Sequence, residues 1–207
     1  MMATTSRDMG GAAQIRERVP WYSTVTYDFK LWRVDLKTIV ASVLWGIVVA
    51  VMLNIAERLD SAIFGGTFFL FGAATQALAV GPALFGLPGG WITLVISPLF
   101  STLTATTPLA PIFFFTNSLY AIGTAVGTYM VKREGKGLTI LQLYLANAVG
   151  SLLITLPYPL FIWPVLVGMT PNLVFKTGLI LFLEFALGLP ILSFVVMKRA
   201  LATRLWP

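Results

Sequence analysis

The sequence predicts an all-α membrane protein, with six transmembrane helices in one bundle and both termini cytoplasmic. Three observations carry this expectation. Of 207 residues, 57% are apolar and only 11% charged, against the roughly 25% charge of a soluble domain. Apolar runs of about 20 residues, the length that crosses a hydrocarbon core of about 30 Å, recur along the chain. The cations are grouped between those runs: Arg7, Arg16, Arg18, Lys30, Arg33 and Lys37 before the first, Lys132, Arg133 and Lys136 in one connection, Lys198, Arg199 and Arg204 at the end. Only Arg58 and Lys176 lie elsewhere. Grouping of this kind follows the positive-inside rule.

Residues 1–35 read as a cytoplasmic or interfacial tail, 36–200 as the transmembrane domain, and 201–207 as a second cytoplasmic tail. The first tail lacks the apolar core and small-residue cleavage site of a secretory signal and is expected to be retained. Its aromatic residues Trp21, Tyr22, Tyr27, Phe29 and Trp32 suit the headgroup zone. Either an interfacial anchor or a partner-docking tail fits them.

The spans follow in order. Leu36 to Ala56 is the first, closed by Glu57, Arg58 and Asp60. Ala62 to Phe85 is the second, and Gly86-Leu87-Pro88-Gly89-Gly90 forms a tight turn after it. Trp91 to about Ala105 is the third, interrupted by Pro98. Pro108 to Val131 is the fourth and Leu138 to Leu156 the fifth. Asn172 to Met197 is the sixth, interrupted at Gly188-Leu189-Pro190. Between the fifth and sixth, Pro157, Pro159, Pro164 and Pro171 remove backbone donors, which predicts an outer loop folded on the bundle. An even number of spans puts all three basic stretches on one side. The prolines at 98 and 190 occupy matching places in two three-helix halves, the arrangement of an inverted repeat.

Composition removes most chemistry. With no cysteine and no histidine, thiolate sites, the commonest metal ligand and the commonest general base are all absent. No phosphate-cradling glycine loop with its lysine is present, so the chain is expected neither to hydrolyse ATP nor to be an enzyme. No cofactor, metal or nucleic-acid partner is expected either. The expected location is the cell membrane, crossed several times.

Polar groups inside the spans are the binding candidates. Glu184 is an acidic residue deep in the sixth span, where a charge costs roughly 2.5–3.5 kcal/mol on insertion scales. It contacts a substrate, carries a proton, or bonds to a neighbouring helix such as the one with Asn147. Lys176, two turns away, either meets a ligand anion or snorkels to the interface. Asn117, Asn147 and Gln76 either read a substrate or join helices. Trp91, Tyr120, Tyr158 and Trp163 are stacking candidates that membrane-belt positions also explain. Small residues recur every fourth position: Ser42, Gly46 and Ala50 on the first span, Ala73, Ala77 and Gly81 on the second, Gly123 and Gly127 on the fourth, Ala146 and Gly150 on the fifth. Such stripes let helices approach closely; the one on the first span suits either internal packing or a separate membrane subunit.

The pattern resembles the substrate-binding S-components of energy-coupling-factor (ECF-type) vitamin transporters. The similarity lies in the small-residue stripe Ser42, Gly46, Ala50, in Val80-Gly81-Pro82-Ala83-Leu84-Phe85-Gly86, and in Pro111 to Met130 with Asn117, Gly123 and Gly127. The resemblance implies a subunit that captures a vitamin, a precursor or a similar small molecule outside. It implies docking through the first helix on a membrane scaffold driven by two ATPase subunits. The implied substrate residues are Glu184, Asn147, Asn117, Lys176, Tyr158 and Trp163, and the implied docking residues Ser42, Gly46 and Ala50. A stand-alone proton-coupled transporter using Glu184 and a non-transporting assembly subunit are the alternatives.

Overall fold

The computed structural model describes residues 26–63, 74–104, 110–132, 137–187 and 191–202. Regular structure among these residues is helical throughout. Helices satisfy their own backbone polar groups, which lipid requires. Six α-helices are present among the described residues: α1 Leu36–Ile63, α2 Val80–Leu103, α3 Ala110–Val131, α4 Ile140–Thr155, α5 Pro171–Leu187 and α6 Ile191–Ala202. A 3-10 turn, Gln76–Ala79, leads into α2, and a wide π-type helix, Tyr158–Val167, follows α4. Three runs, Leu36–Ile63, Ala77–Leu103 and Ile140–Val167, are long and apolar enough to cross a membrane.

Asp35 starts α1. Its carboxylate accepts from the Thr38 backbone N–H and from the Thr38 hydroxyl, each at 2.8 Å, an N-terminal cap. These bonds, helped by Arg33, whose Nε donates to it at 2.8 Å, hold the Asp35 carboxyl down at about 2. One face of α1 is exposed through Val40, Leu44, Ile47, Val51 and Ile55, and the other is buried through Ala41, Trp45, Val49 and Leu53.

The run Ala77–Leu103 is not a straight rod. Gly86 has φ 70° and ψ −163°, a conformation essentially confined to glycine. A Cβ placed on Gly81 would come within 2.8 Å of Thr93, and one on Gly90 within 2.5 Å of Pro82. Twelve residues of straight helix would separate the first pair by about 18 Å. The chain therefore doubles back at Gly86, and the two pieces of α2 form a helical hairpin. The expected turn is there, but it is tighter than expected. Helix resumes at Leu87 instead of Trp91, because Pro88 is compatible with a first helical turn and Gly89-Gly90 pack beneath the preceding arm. The first span is expected to close at Glu57, Arg58 and Asp60 and the second to start at Ala62, but α1 continues through all five of Glu57, Arg58, Asp60, Ala62 and Ile63. Residues 64–73 of the expected second span lie outside the described residues.

The segment before α1 straps this hairpin. The Tyr27 hydroxyl donates to Ala83 O at 2.5 Å, and Leu87 N–H donates to Leu31 O at 2.8 Å. A bend at Gly86 deprives the Ala83 carbonyl and the Leu87 amide of each other. The strap supplies both missing partners. Lys132 Nζ sits 5.0 Å from the Tyr27 ring centroid, and burial pushes the Tyr27 phenol pKa up.

α3 and α4 meet through the stripes the sequence marks. A Cβ on Gly123 would come within 2.7 Å of Gly150, and one on Gly127 within 2.9 Å of Ala146. Their connection is tied by Thr139 and Gln142, which cap each other's backbone amides, and by Gln142 Nε2 donating to Val131 O at 2.7 Å.

The predicted outer loop after the fifth span is instead helical. Tyr158–Val167 continues from α4 and ends at Gly168, whose φ of 74° is left-handed. Pro157 and Pro159 fall in the first turn of this segment, where an amide has no helical partner to lose. Only Pro164 lies inside it, and a wide π-type turn accommodates the missing bond. α5 and α6 flank the interruption expected at 188–190, which itself lies outside the described residues. Phe85, Leu94, Tyr120, Leu138, Leu143, Phe194 and Met197 fill the core.

Candidate functional site

Polar side chains concentrate where α3 faces α4. Thr116, Tyr120, Thr124 and Thr128 recur every fourth residue on α3, and Asn147, Ser151 and Thr155 do so on α4. All seven are buried. A hydroxyl in such surroundings must find an acceptor, and three of the six turn back on their own helix: Thr128 onto Thr124 O, Ser151 onto Asn147 O and Thr155 onto Ser151 O, each at 2.7 Å. Others cross the interface. The Tyr120 hydroxyl donates to Asn147 Oδ1, and the Thr116 and Tyr158 hydroxyls share a bond at 3.4 Å. Thr124 Oγ1 lies directly over Gly150, where only a glycine leaves it room.

One end of this seam is aromatic. The rings of Tyr158 and Trp163 lie 5.5 Å apart at 49°. A Cβ on Gly178 of α5 would stand 3.4 Å from Pro159 and 3.6 Å from Trp163, so α5 passes close by. Thr116, bonded to Tyr158, is sixteen residues from Lys132, or about 24 Å along a helix. The aromatic end is thus remote from the strap and the basic connection. Two rings with two hydroxyls offer a flat ligand a stacking surface and both donor and acceptor capacity.

The sequence candidates divide. Asn147, Tyr158 and Trp163 are brought onto the seam, with Asn117 beside it. Asn117 is turned to α2, where its Nδ2 donates to Leu94 O at 3.0 Å. Leu94 is four residues before Pro98, whose missing N–H leaves that carbonyl without a helical donor; Asn117 supplies one. Asn147 is likewise engaged by Tyr120. Lys176 is exposed, two residues and so more than half a turn from the buried Val174 and Gly178, and is not brought to the seam. Glu184 lies within α5, and its side chain, like that of Gln76, is outside the described residues. Trp91 is exposed and donates to Ser118 Oγ at 2.9 Å.

The stripe Ser42, Gly46 and Ala50 is covered by the chain itself. Thr93 Oγ1 donates to Ser42 O at 3.2 Å, a Cβ on Gly46 would come within 2.6 Å of Ile96, and Ala50 is buried. Of the two roles open to the stripe, internal packing against α2 is the one these contacts show.

Residue reading missed the seam's hydroxyl ladder, although the fourfold spacing of Thr116, Tyr120, Thr124 and Thr128 was a visible signal. It also missed a relay at the far end of α1, where Arg58 Nε donates to Asn54 Oδ1 at 2.9 Å and Asn54 Nδ2 donates to Thr104 Oγ1 at 3.3 Å. Among the described residues no cluster of three or more carboxylates could hold a metal ion. No family model matches the chain, and neither a curated protein nor a solved structure matches it.

Proposed function

We propose that this chain crosses the cell membrane six times with both ends cytoplasmic and captures a small solute at its outer end. It serves an importer whose ATP hydrolysis is done by two partner subunits on a membrane scaffold. The ECF-type assignment, with a vitamin or vitamin precursor as solute, rests on the sequence resemblance. One structural observation supports capture at this site. The paired rings of Tyr158 and Trp163, with the Thr116 hydroxyl, cap a buried polar seam at the end remote from the strap and Lys132. Basic residues mark the cytoplasmic side, so the aromatic end faces outward.

In this scheme Tyr158 and Trp163 hold a flat ring, the Thr116 and Tyr158 hydroxyls exchange hydrogen bonds with its edge, and Asn147 fixes the seam through Tyr120. Glu184, on the helix that passes this aromatic pair, contributes a carboxyl to the ligand or to its protonation.

The test is mass spectrometry of the small molecules and subunits that stay with the full chain after gentle detergent purification. A retained heteroaromatic compound, lost in Trp163→Ala and weakened in Glu184→Gln while both variants stay folded, is the expected result. Retention unchanged in both variants sinks the site. One observation favours a second reading, a non-transporting assembly subunit: Asn117 and Asn147 are both engaged in bonds between helices. A chain that retains partner subunits but no solute would decide for it.

A further inference from the structure

The strap of residues 26–35, bent at Leu31 and Trp32, leads into α1 at Leu36, and along it inward and outward positions strictly alternate. Tyr27, Phe29, Leu31, Arg33 and Asp35 are partly covered, while Thr26, Asp28, Lys30, Trp32, Val34 and Leu36 are exposed. A two-residue alternation of cover and exposure is what a non-helical chain lying along a surface gives. The inward edge is accounted for by Ala83, Leu87 and the Asp35 cap. The outward edge is not: Trp32 is 70%, Val34 63% and Leu36 77% exposed, three large apolar groups in succession.

We infer that this outward edge is seated in the headgroup layer of an anionic bilayer. The position argues for it first. The exposed face of α1 runs without a break from Ile55 through Ile47, Leu44 and Val40 to Leu36, and Val34 and Trp32 extend it. Between Lys37 and Glu57 the helix has nineteen uncharged residues, about 28 Å of rise, which matches a hydrocarbon core of about 30 Å. Leu36, Val34 and Trp32 then fall just beyond the core, at the depth where tryptophan is favoured. Charge argues for it second. Lys30, Arg33, Lys37 and Lys132 gather here against Asp28 and Asp35, so the local excess is cationic and suits anionic lipid. A protein partner would have no such reason to match the edge of a lipid-facing stripe.

The strap is therefore a clip between two surfaces: its inner edge closes the Gly86 hairpin and its outer edge rests on the membrane. The inference requires only that α1 crosses the bilayer, and it stands or falls separately from solute capture.

Because the chain has no cysteine, single spin labels can be placed by Val34→Cys, Trp32→Cys and Asp28→Cys on the full-length protein. These are read in nanodiscs of equal parts phosphatidylcholine and phosphatidylglycerol, and in phosphatidylcholine alone. The expected result is a ratio of oxygen to nickel-complex collisions severalfold higher at 34 and 32 than at 28, and higher in the anionic discs. Equal ratios at the three positions overturn the inference. So does protection of position 34 from both reagents, the signature of a covering protein, and so does a ratio indifferent to lipid charge.

Discussion

Asn117 shows how one side chain can look like a ligand reader and serve the backbone. Its amide replaces the donor that Pro98 lacks, so its value depends on that proline. Asn117→Ala strands a buried carbonyl and is expected to lower stability by about 1–2 kcal/mol. Pro98→Ala restores an N–H to the Leu94 carbonyl and should recover most of that loss, giving a clear coupling in a double-mutant cycle. Additive effects, measured by unfolding in detergent, would show that Asn117 acts elsewhere. Asn147 is engaged differently, its Oδ1 accepting from the Tyr120 hydroxyl. The sequence marks both amides as important, but neither residue reveals that its partner is a carbonyl twenty-three positions away for Asn117 or a hydroxyl twenty-seven positions away for Asn147. Asp35 gives a second test at this scale. Its folded carboxyl titrates at about 2 instead of 3.8. A depressed carboxyl contributes stability that is complete above its ordinary value and lost as pH falls from about 4 towards 2. Asp35→Asn should remove that portion of the acid limb, and a wild-type and variant profile of identical shape would contradict the cap's role.

Among elements, the hairpin at Gly86 and the end of the π-type helix at Gly168 form a natural comparison. Both glycines have positive φ, but a Cβ on Gly86 would come within 2.3 Å of Lys30 O, whereas nothing lies within 4 Å of one on Gly168. Gly168→Ala should therefore cost only its backbone strain, about 1–2 kcal/mol. Gly86→Ala adds a backbone clash and a worse φ/ψ region, and its melting temperature should fall well below that of Gly168→Ala. Equal shifts would deny the close passage of the strap. Elements repeat the lesson of residues. The Gly86-Pro88-Gly89-Gly90 cluster and the stripes on α3 and α4 are legible because glycine and small-residue spacing act locally. The π-type helix was hidden because prolines in a first turn and prolines in a loop are identical in sequence, and only the bonding of neighbouring amides separates them.

For the whole molecule, the apolar composition and grouped cations already dictate a helical membrane protein. Which polar residues meet was not legible, since Thr116 and Tyr158 are forty-two positions apart and nothing local pairs them. The proposed six crossings would place the two chain ends on one side. In otherwise unaltered cells, cysteines at Asp28 and Ala202 should both resist an impermeant maleimide until the membrane is opened, while one at Thr104 should react at once. Labelling of Asp28 and Ala202 from opposite sides would refute the topology.

The strap also imposes an order on biogenesis. Tyr27 leaves the ribosome fifty-six residues ahead of the Ala83 carbonyl it will serve, so the clasp is made long before the loop it fastens. In the proposed topology the helical arms around Gly86 would enter the lipid with their inner ends open and be secured only when they return to the segment made before them. A bulky fusion set immediately before residue 26 would then hinder maturation far more than the same fusion at the other end of the chain.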